Sequence, residues 1–249
     1  MIISSYTIIS GKTVFGAAIT VAAIVVTKGS MTFPGSVNTY NLQIANVPDF
    51  RLGIGDFTIE WFAYYDTVLV GNYPRFFSMG ANPNASIGMS LESDGYIYFF
   101  FNGANSGNGY TVNNPAPAAY QNKWSHYAIS RSSGIISIYL NGIRQGSTIA
   151  DASNHSDFTY KLTIGNEDIV TGGSIFQTEF GGRITNFNWV KGTGLYSGAI
   201  ITVPTTTITA NVNTKLLILA NDGLPIVDSS GLNKTVTNTS IGWTSSTPF

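Results

Sequence analysis

The sequence predicts an all-β chain built as two packed antiparallel sheets. Short apolar runs alternate with polar residues at a period of two, Gly- and Asn-rich turns separate them at sandwich-like intervals, and helical periodicity is nearly absent. The 249 residues are enough for one large β domain with a well-filled core. Only 10% are charged, so the polar surface comes mainly from Ser, Thr, Asn and Gly. That composition suits a packed assembly better than a freely diffusing enzyme. Twelve basic and thirteen acidic side chains nearly cancel, which argues against a nucleic-acid partner. The absence of cysteine excludes disulfides and thiolate metal sites.

The first element is an apolar arm, residues 1–27, whose only charge is Lys12. Its stretch 13–27 is shorter than the roughly 20 apolar residues of a membrane helix. Val14, Ile19, Val21, Ile24 and Val25 are β-branched, which with Phe15 favours a strand. These six side chains are expected to pair with another structural protein or a second copy of the chain. Membrane contact through residues 13–27 is the other reading. No secretory leader is expected, because no positive charge precedes Lys12.

Residues 28–249 read as a second unit with no linker to divide it. Residues 30–44 read as strand, Pro-Gly turn and strand. Residues 55–66 alternate Phe57, Ile59, Trp61 and Ala63 against Thr58, Glu60, Phe62 and Tyr64. Residues 95–103, 161–166, 181–192, 214–222 and 234–243 complete the series. The stretch 123–147 is a three-stranded meander: Trp124, His126, Ala128 and Ser130 share one face, and Ser125, Tyr127, Ile129 and Arg131 the other. Residues 132–134 turn the chain into Ile136, Ile138 and Leu140, and Asn141-Gly142 has the residues of a type I′ hairpin.

The meander's Trp-x-His, Ala-Ile-Ser-Arg and Ile-Tyr-Leu-Asn-Gly segments resemble the hairpin of laminin G-like and pentraxin-like domains. These belong to the concanavalin A-like lectin/glucanase superfamily. Residues 31–66, ending in Asp-Phe-Thr-Ile-Glu-Trp and its aromatic run, resemble the opening strands of that group. Residues 162–166 and 180–198 resemble later ones. The resemblance implies a two-sheet antiparallel jelly-roll sandwich. The C-terminal segments are similar to stretches flanking lectin-like modules in structural proteins of phages and large DNA viruses.

The candidate sites are few. His126 takes a position that the resemblance makes structural, and no G-x-S-x-G elbow is present to suggest a nucleophile. His155 reads as a solvated loop residue. The glucanase branch carries alternating carboxylates on one strand, where one can act as nucleophile and another as acid. Nothing here matches. Glu167 and Asp168 are adjacent and would face opposite ways in a strand, and Glu60 and Asp66 flank an aromatic run. Calcium is the ion the resemblance implies, but Asn38 stands where an acid often does. Asp151, Asn154 and Asp157 form the best remaining oxygen set, equally readable as an Asx-rich turn. No cofactor is therefore expected.

Asn102, Asn105, Asn108 and Tyr110 are the candidate sugar-binding residues, with Tyr73 and Tyr120 in neighbouring loops. Asn84, Asn154, Asn233 and Asn238 begin N-x-S/T sequons, which matter only in a eukaryotic secretory pathway. The leading expectation is a non-enzymatic structural or interaction module, a component of a virus particle, found in the virion or at an extracellular surface. Its rival is a carbohydrate-binding module recognising host-surface glycans.

Overall fold

A computed structural model describes residues 26–35, 41–66, 73–80, 87–91, 96–101, 109–112, 119–155, 160–167 and 178–249. Among them, sixteen strands form two antiparallel sheets. The first sheet runs β10 (Ile143–Arg144), β9 (Ile135–Leu140), β8 (Trp124–Ser132), β3 (Phe57–Tyr65), β13 (Gly181–Lys191), β1 (Ser30–Pro34) and β16 (Gly242–Thr244). Two further strands extend it, β11 (Ile149–Ala150) on β9 and β14 (Thr214–Ile218) on β13. The second sheet runs β15 (Val236–Thr239), β2 (Asn41–Ile44), β12 (Leu162–Ile164), β4 (Arg75–Met79), β5 (Ile87–Leu91), β6 (Ile97–Phe101) and β7 (Gly109–Val112). The described residues contain no helix long and apolar enough to cross a membrane.

Period-two alternation fills the space between the sheets. Phe57, Ile59, Trp61 and Ala63 of β3 face Phe77, Met79, Met89 and Phe99 of the second sheet within one buried cluster. The Trp61 ring stacks on Tyr127 at 5.6 Å with 5° between their planes, and meets Phe77 edge-on at 5.4 Å. Ser133 and Gly134 (φ 52° and 73°), then Asn141 and Gly142 (φ 49° and 80°), make the tight turns of the meander. The side chain of Asn141 anchors its turn: its Oδ1 accepts the His126 backbone N–H at 2.9 Å.

At two places the strands are arranged differently from the sequence reading. Residues 30–44 do not fold back on themselves: β1 pairs with β13 in the first sheet and β2 with β12 in the second. The segment expected as one strand at 234–243 splits into β15 and β16, one in each sheet. Between them Ser240 takes a left-handed φ of 60°, and the chain crosses from one layer to the other. Local pattern identifies a strand but not its partner, so both corrections concern pairing rather than strand content.

The outer face of the first sheet is roofed. Residues 193–203 pass over β3 and β8 as a strap held by Leu195 N–H to Thr58 Oγ1 (2.8 Å) and Tyr196 N–H to Ser130 Oγ (3.2 Å). Phe249 packs on Phe62 edge-on at 5.0 Å. This roof explains why Thr58, Glu60 and Phe62 are buried although they point away from the core. Of the arm, only Val26 and Thr27 lie among the described residues; Thr27 N–H donates to Asp222 Oδ1 at 2.7 Å. The six arm residues from Val14 to Val25 lie outside them.

Candidate functional site

The roof covers a charged network. Glu60 on β3 receives His126 Nε2 at 3.1 Å and the Tyr196 hydroxyl at 2.7 Å on Oε2, and Asn188 Nδ2 at 2.9 Å on Oε1. Register explains the meeting: Glu60 pairs with Ala128 and Asn188, placing His126 one side-chain row away on the same face. Burial alone would raise the Glu60 carboxyl, but the hydrogen bonds from His126, Tyr196 and Asn188 and the charge of His126 hold it below its ordinary value. Burial and the same carboxylate push the Tyr196 phenol well up. Every Glu60 oxygen is engaged and the strap lies above it, so the network braces a wall. His126 is thus a sheet residue, as the sequence suggests.

His155 corrects the sequence reading. It is 1% exposed rather than solvated, and its Nε2 lies 2.7 Å from Asp151 Oδ2. Arg131 closes the group, with Nε 3.5 Å from that oxygen and Nη2 donating to the Asp151 carbonyl at 2.6 Å. Asp151 Oδ1 accepts the Ser153 N–H at 3.0 Å. Its carboxylate is therefore committed to protein donors. Asn154 is described and Asp157 lies outside the described residues. Among the described residues, no three His, Asp or Glu side chains converge as a metal site.

Of the sugar-binding candidates, Asn102, Asn105 and Asn108 lie outside the described residues. The backbone of Tyr110 pairs with core residue Phe99. A different aromatic set stands on the outer face of the second sheet. Ile97 and Phe99 point into the core, so Tyr96, Tyr98 and Phe100 occupy the alternate, outward positions. Tyr96 is 36% exposed, Tyr98 is half-buried, and their rings lie 6.4 Å apart. Opposite them stand Ser90 and Gly88, which leave the rings room. A Cβ on Gly88 would lie 2.4 Å from the Phe100 ring, so that ring rests directly on the glycine.

Arg75 continues this face. Its guanidinium carbon lies 4.7 Å from the Phe100 ring centre, and its Nε lies 3.7 Å from Glu167 Oε2. Burial, together with the charge of Glu167, holds the Glu179 carboxyl above its ordinary value despite its hydrogen bonds. Planar apolar faces beside a polar, partly ionic edge can bind a ring with one apolar face and several hydroxyls. The sequence contains this signal as Tyr-x-Tyr-x-Phe at 96–100, but it reads equally as an ordinary strand until the core side is known.

Among curated proteins, none matches the sequence. The fold resembles that of a Bacteroides ovatus protein to which carbohydrate binding has been ascribed (TM-score 0.60, 15% identity, 88% of this chain and 60% of that one). It also resembles mouse laminin α1 domains LG4-5 (TM-score 0.47, 16% identity, 70% and 45%) and a heptameric pentraxin of Limulus polyphemus (TM-score 0.45, 18% identity, 66% and 76%). The chain thus spans about three fifths of the Bacteroides protein's length and under half of the laminin pair's. A laminin G family model matches residues 38–193, which contain both sheets' central strands, and the chain belongs to the concanavalin A-like lectin/glucanases superfamily.

Proposed function

We propose that the chain is a non-catalytic carbohydrate-binding module whose platform is Tyr96 and Tyr98, backed by the buried Phe100 ring beneath Arg75, and that it works at an extracellular or particle surface. The observation that carries this is the pair of accessible rings, Tyr96 and Tyr98, on the outer face of β6 beside Ser90. Aromatic rings held on a sheet meet the apolar face of a pyranose with little loss of side-chain freedom. Carbohydrate binding has been ascribed to the Bacteroides ovatus protein that shares the fold. Glu60 and Asp151 favour a non-catalytic role, because each is buried and held by protein donors. The particle-component reading rests on the arm and the C-terminal resemblance, and the described residues add no separate support for it.

A glycan array with the full chain should show binding that Tyr98→Ala reduces about tenfold or more, the scale for losing a central aromatic anchor. Binding unchanged by Tyr98→Ala would move the site elsewhere. Glu179, with its raised carboxyl beside Glu167, is the residue to watch for chemistry. Cleavage of a bound glycan that disappears in Glu179→Gln would replace the binding module with a hydrolase.

A further inference from the structure

The roof over the first sheet stops short of one end. The strap covers Thr58 and Glu60, and Phe249 covers Phe62. The next outward row lies past the strap and borders the C-terminal tail, where Arg183 Nη1 donates to Ser246 Oγ at 3.5 Å. In register across four strands it runs Trp124, Tyr64, Arg183 and Thr32, and all four side chains are half-buried. Trp124 and Tyr64 meet edge-on at 5.8 Å. The Arg183 guanidinium carbon lies 4.3 Å from the Tyr64 ring centre, and its Nη2 donates to Asp66 Oδ1 at 3.0 Å. Beside the row is a depression of about 350 Å³ lined in part by Thr32, Asp66, Gly182, Arg183 and Gly242. Its two glycines leave part of the floor as bare backbone.

We infer that this row is a second saccharide site, on the sheet opposite the first, and that it takes an uncharged sugar. The inference rests on the carbohydrate-binding reading above. The rings supply surface for the apolar face of a pyranose, Arg183 a planar fork of donors, and Asp66 and Thr32 acceptors for hydroxyls. Arg183 and Asp66 already neutralise each other, so an anionic ligand would have to displace Asp66 from the guanidinium. An uncharged polyol bonds to both without breaking the pair. With sites on opposite faces, one chain can bridge two glycans.

Trp124 reports on this site alone. Trp61 and Trp189 are fully buried, and Trp243 donates its indole N–H to the Ala220 carbonyl at 2.6 Å. Cellotetraose, mannotetraose and chitotetraose are titrated into full-length protein, following the four indole resonances and the calorimetric stoichiometry. At least one should shift the Trp124 resonance, in wild type and in Tyr98→Ala alike. Stoichiometry should fall from two to one in Tyr98→Ala, and equally in Tyr64→Ala or Arg183→Ala. Arg183→Lys keeps the charge but not the fork, and should also lose the Trp124 shift. An unchanged melting temperature separates lost binding from lost fold.

If every saccharide that saturates the Tyr98 platform leaves Trp124 unmoved, the second site is overturned and the first stands. A saccharide that binds Tyr98→Ala as well as wild type while moving Trp124 supports the second site and removes the first. Binding at neither removes both, and a preference for sialylated over neutral tetrasaccharide at Trp124 overturns the assigned ligand class.

Discussion

Glu60 shows how a buried charge can stabilise this sheet. Its folded carboxyl titrates below the ordinary value of 4.5, because hydrogen bonds and the charge of His126 together outweigh burial. A carboxyl whose value is lower in the folded than in the unfolded chain contributes stability above the unfolded value. It loses that contribution as pH falls through the folded value. Asp151, lowered from 3.8 against burial by His155 and Ser153, acts with the same sign. Wild-type melting temperature should therefore drop on acidification through and below these values. Glu60→Gln should cost about 1–3 kcal/mol at neutral pH and give a shallower acid limb. A Glu60→Gln acid limb as steep as wild type's would show that the network contributes no such linkage. Trp124, which would have been worth about 3–5 kcal/mol if fully buried, is half-buried and should cost less than that to remove. Alternation alone assigns Glu60 and His126 each to one face of its own strand; that the two faces coincide and point outward follows only from the β3–β8 register. Tyr196 could not be placed with them from the sequence, because it reaches Glu60 from 136 positions away through the strap.

At the scale of elements, what the sequence shows is strand content, and what it hides is which strand lies beside which. The meander of β8, β9 and β10 was legible because two-residue turns dictate antiparallel neighbours. The split of β1 from β2 was not, since a crossover between layers leaves no local mark beyond turn residues. The strap had no strand pattern to announce it, yet Gly194 depends on it. A Cβ there would lie 2.3 Å from the Arg131 carbonyl oxygen, so the strap crosses β8 at a distance only glycine permits. Gly194→Ala should lower stability by about 1–3 kcal/mol, read as a shift in urea midpoint. The Tyr98 platform, on the other sheet, should bind as before. Gly88→Ala should do the reverse to function, because its methyl must displace the buried Phe100 ring that backs the Tyr98 platform. Glycan affinity unchanged in Gly88→Ala would mean that Phe100 takes no part in binding.

At the scale of the molecule, the family match ends at residue 193, but the sandwich does not. Residues after it supply the strap, β14, β15 and β16, and core side chains Leu216, Ile218, Ile226 and Ile241. β14 and β16 extend the first sheet, and β15 extends the second, with Lys234 paired to Asp49 at 2.5 Å nearby. A chain of residues 26–193 would leave apolar faces of both layers open and should aggregate or fail to fold. Residues 26–249 should behave differently. Thr27 and Asp222 exchange backbone and side-chain hydrogen bonds, so a cut before Val26 keeps every described contact of the sandwich. That product should melt cooperatively, give a strand-rich far-ultraviolet spectrum and bind glycan as the full chain does. Residues 1–25 then carry whatever assembly the full chain shows. Light scattering should give a larger mass for the full chain than for 26–249, and liposome flotation tests the membrane reading. Equal masses would remove the assembly role. Flotation of the full chain alone would make the arm a membrane anchor.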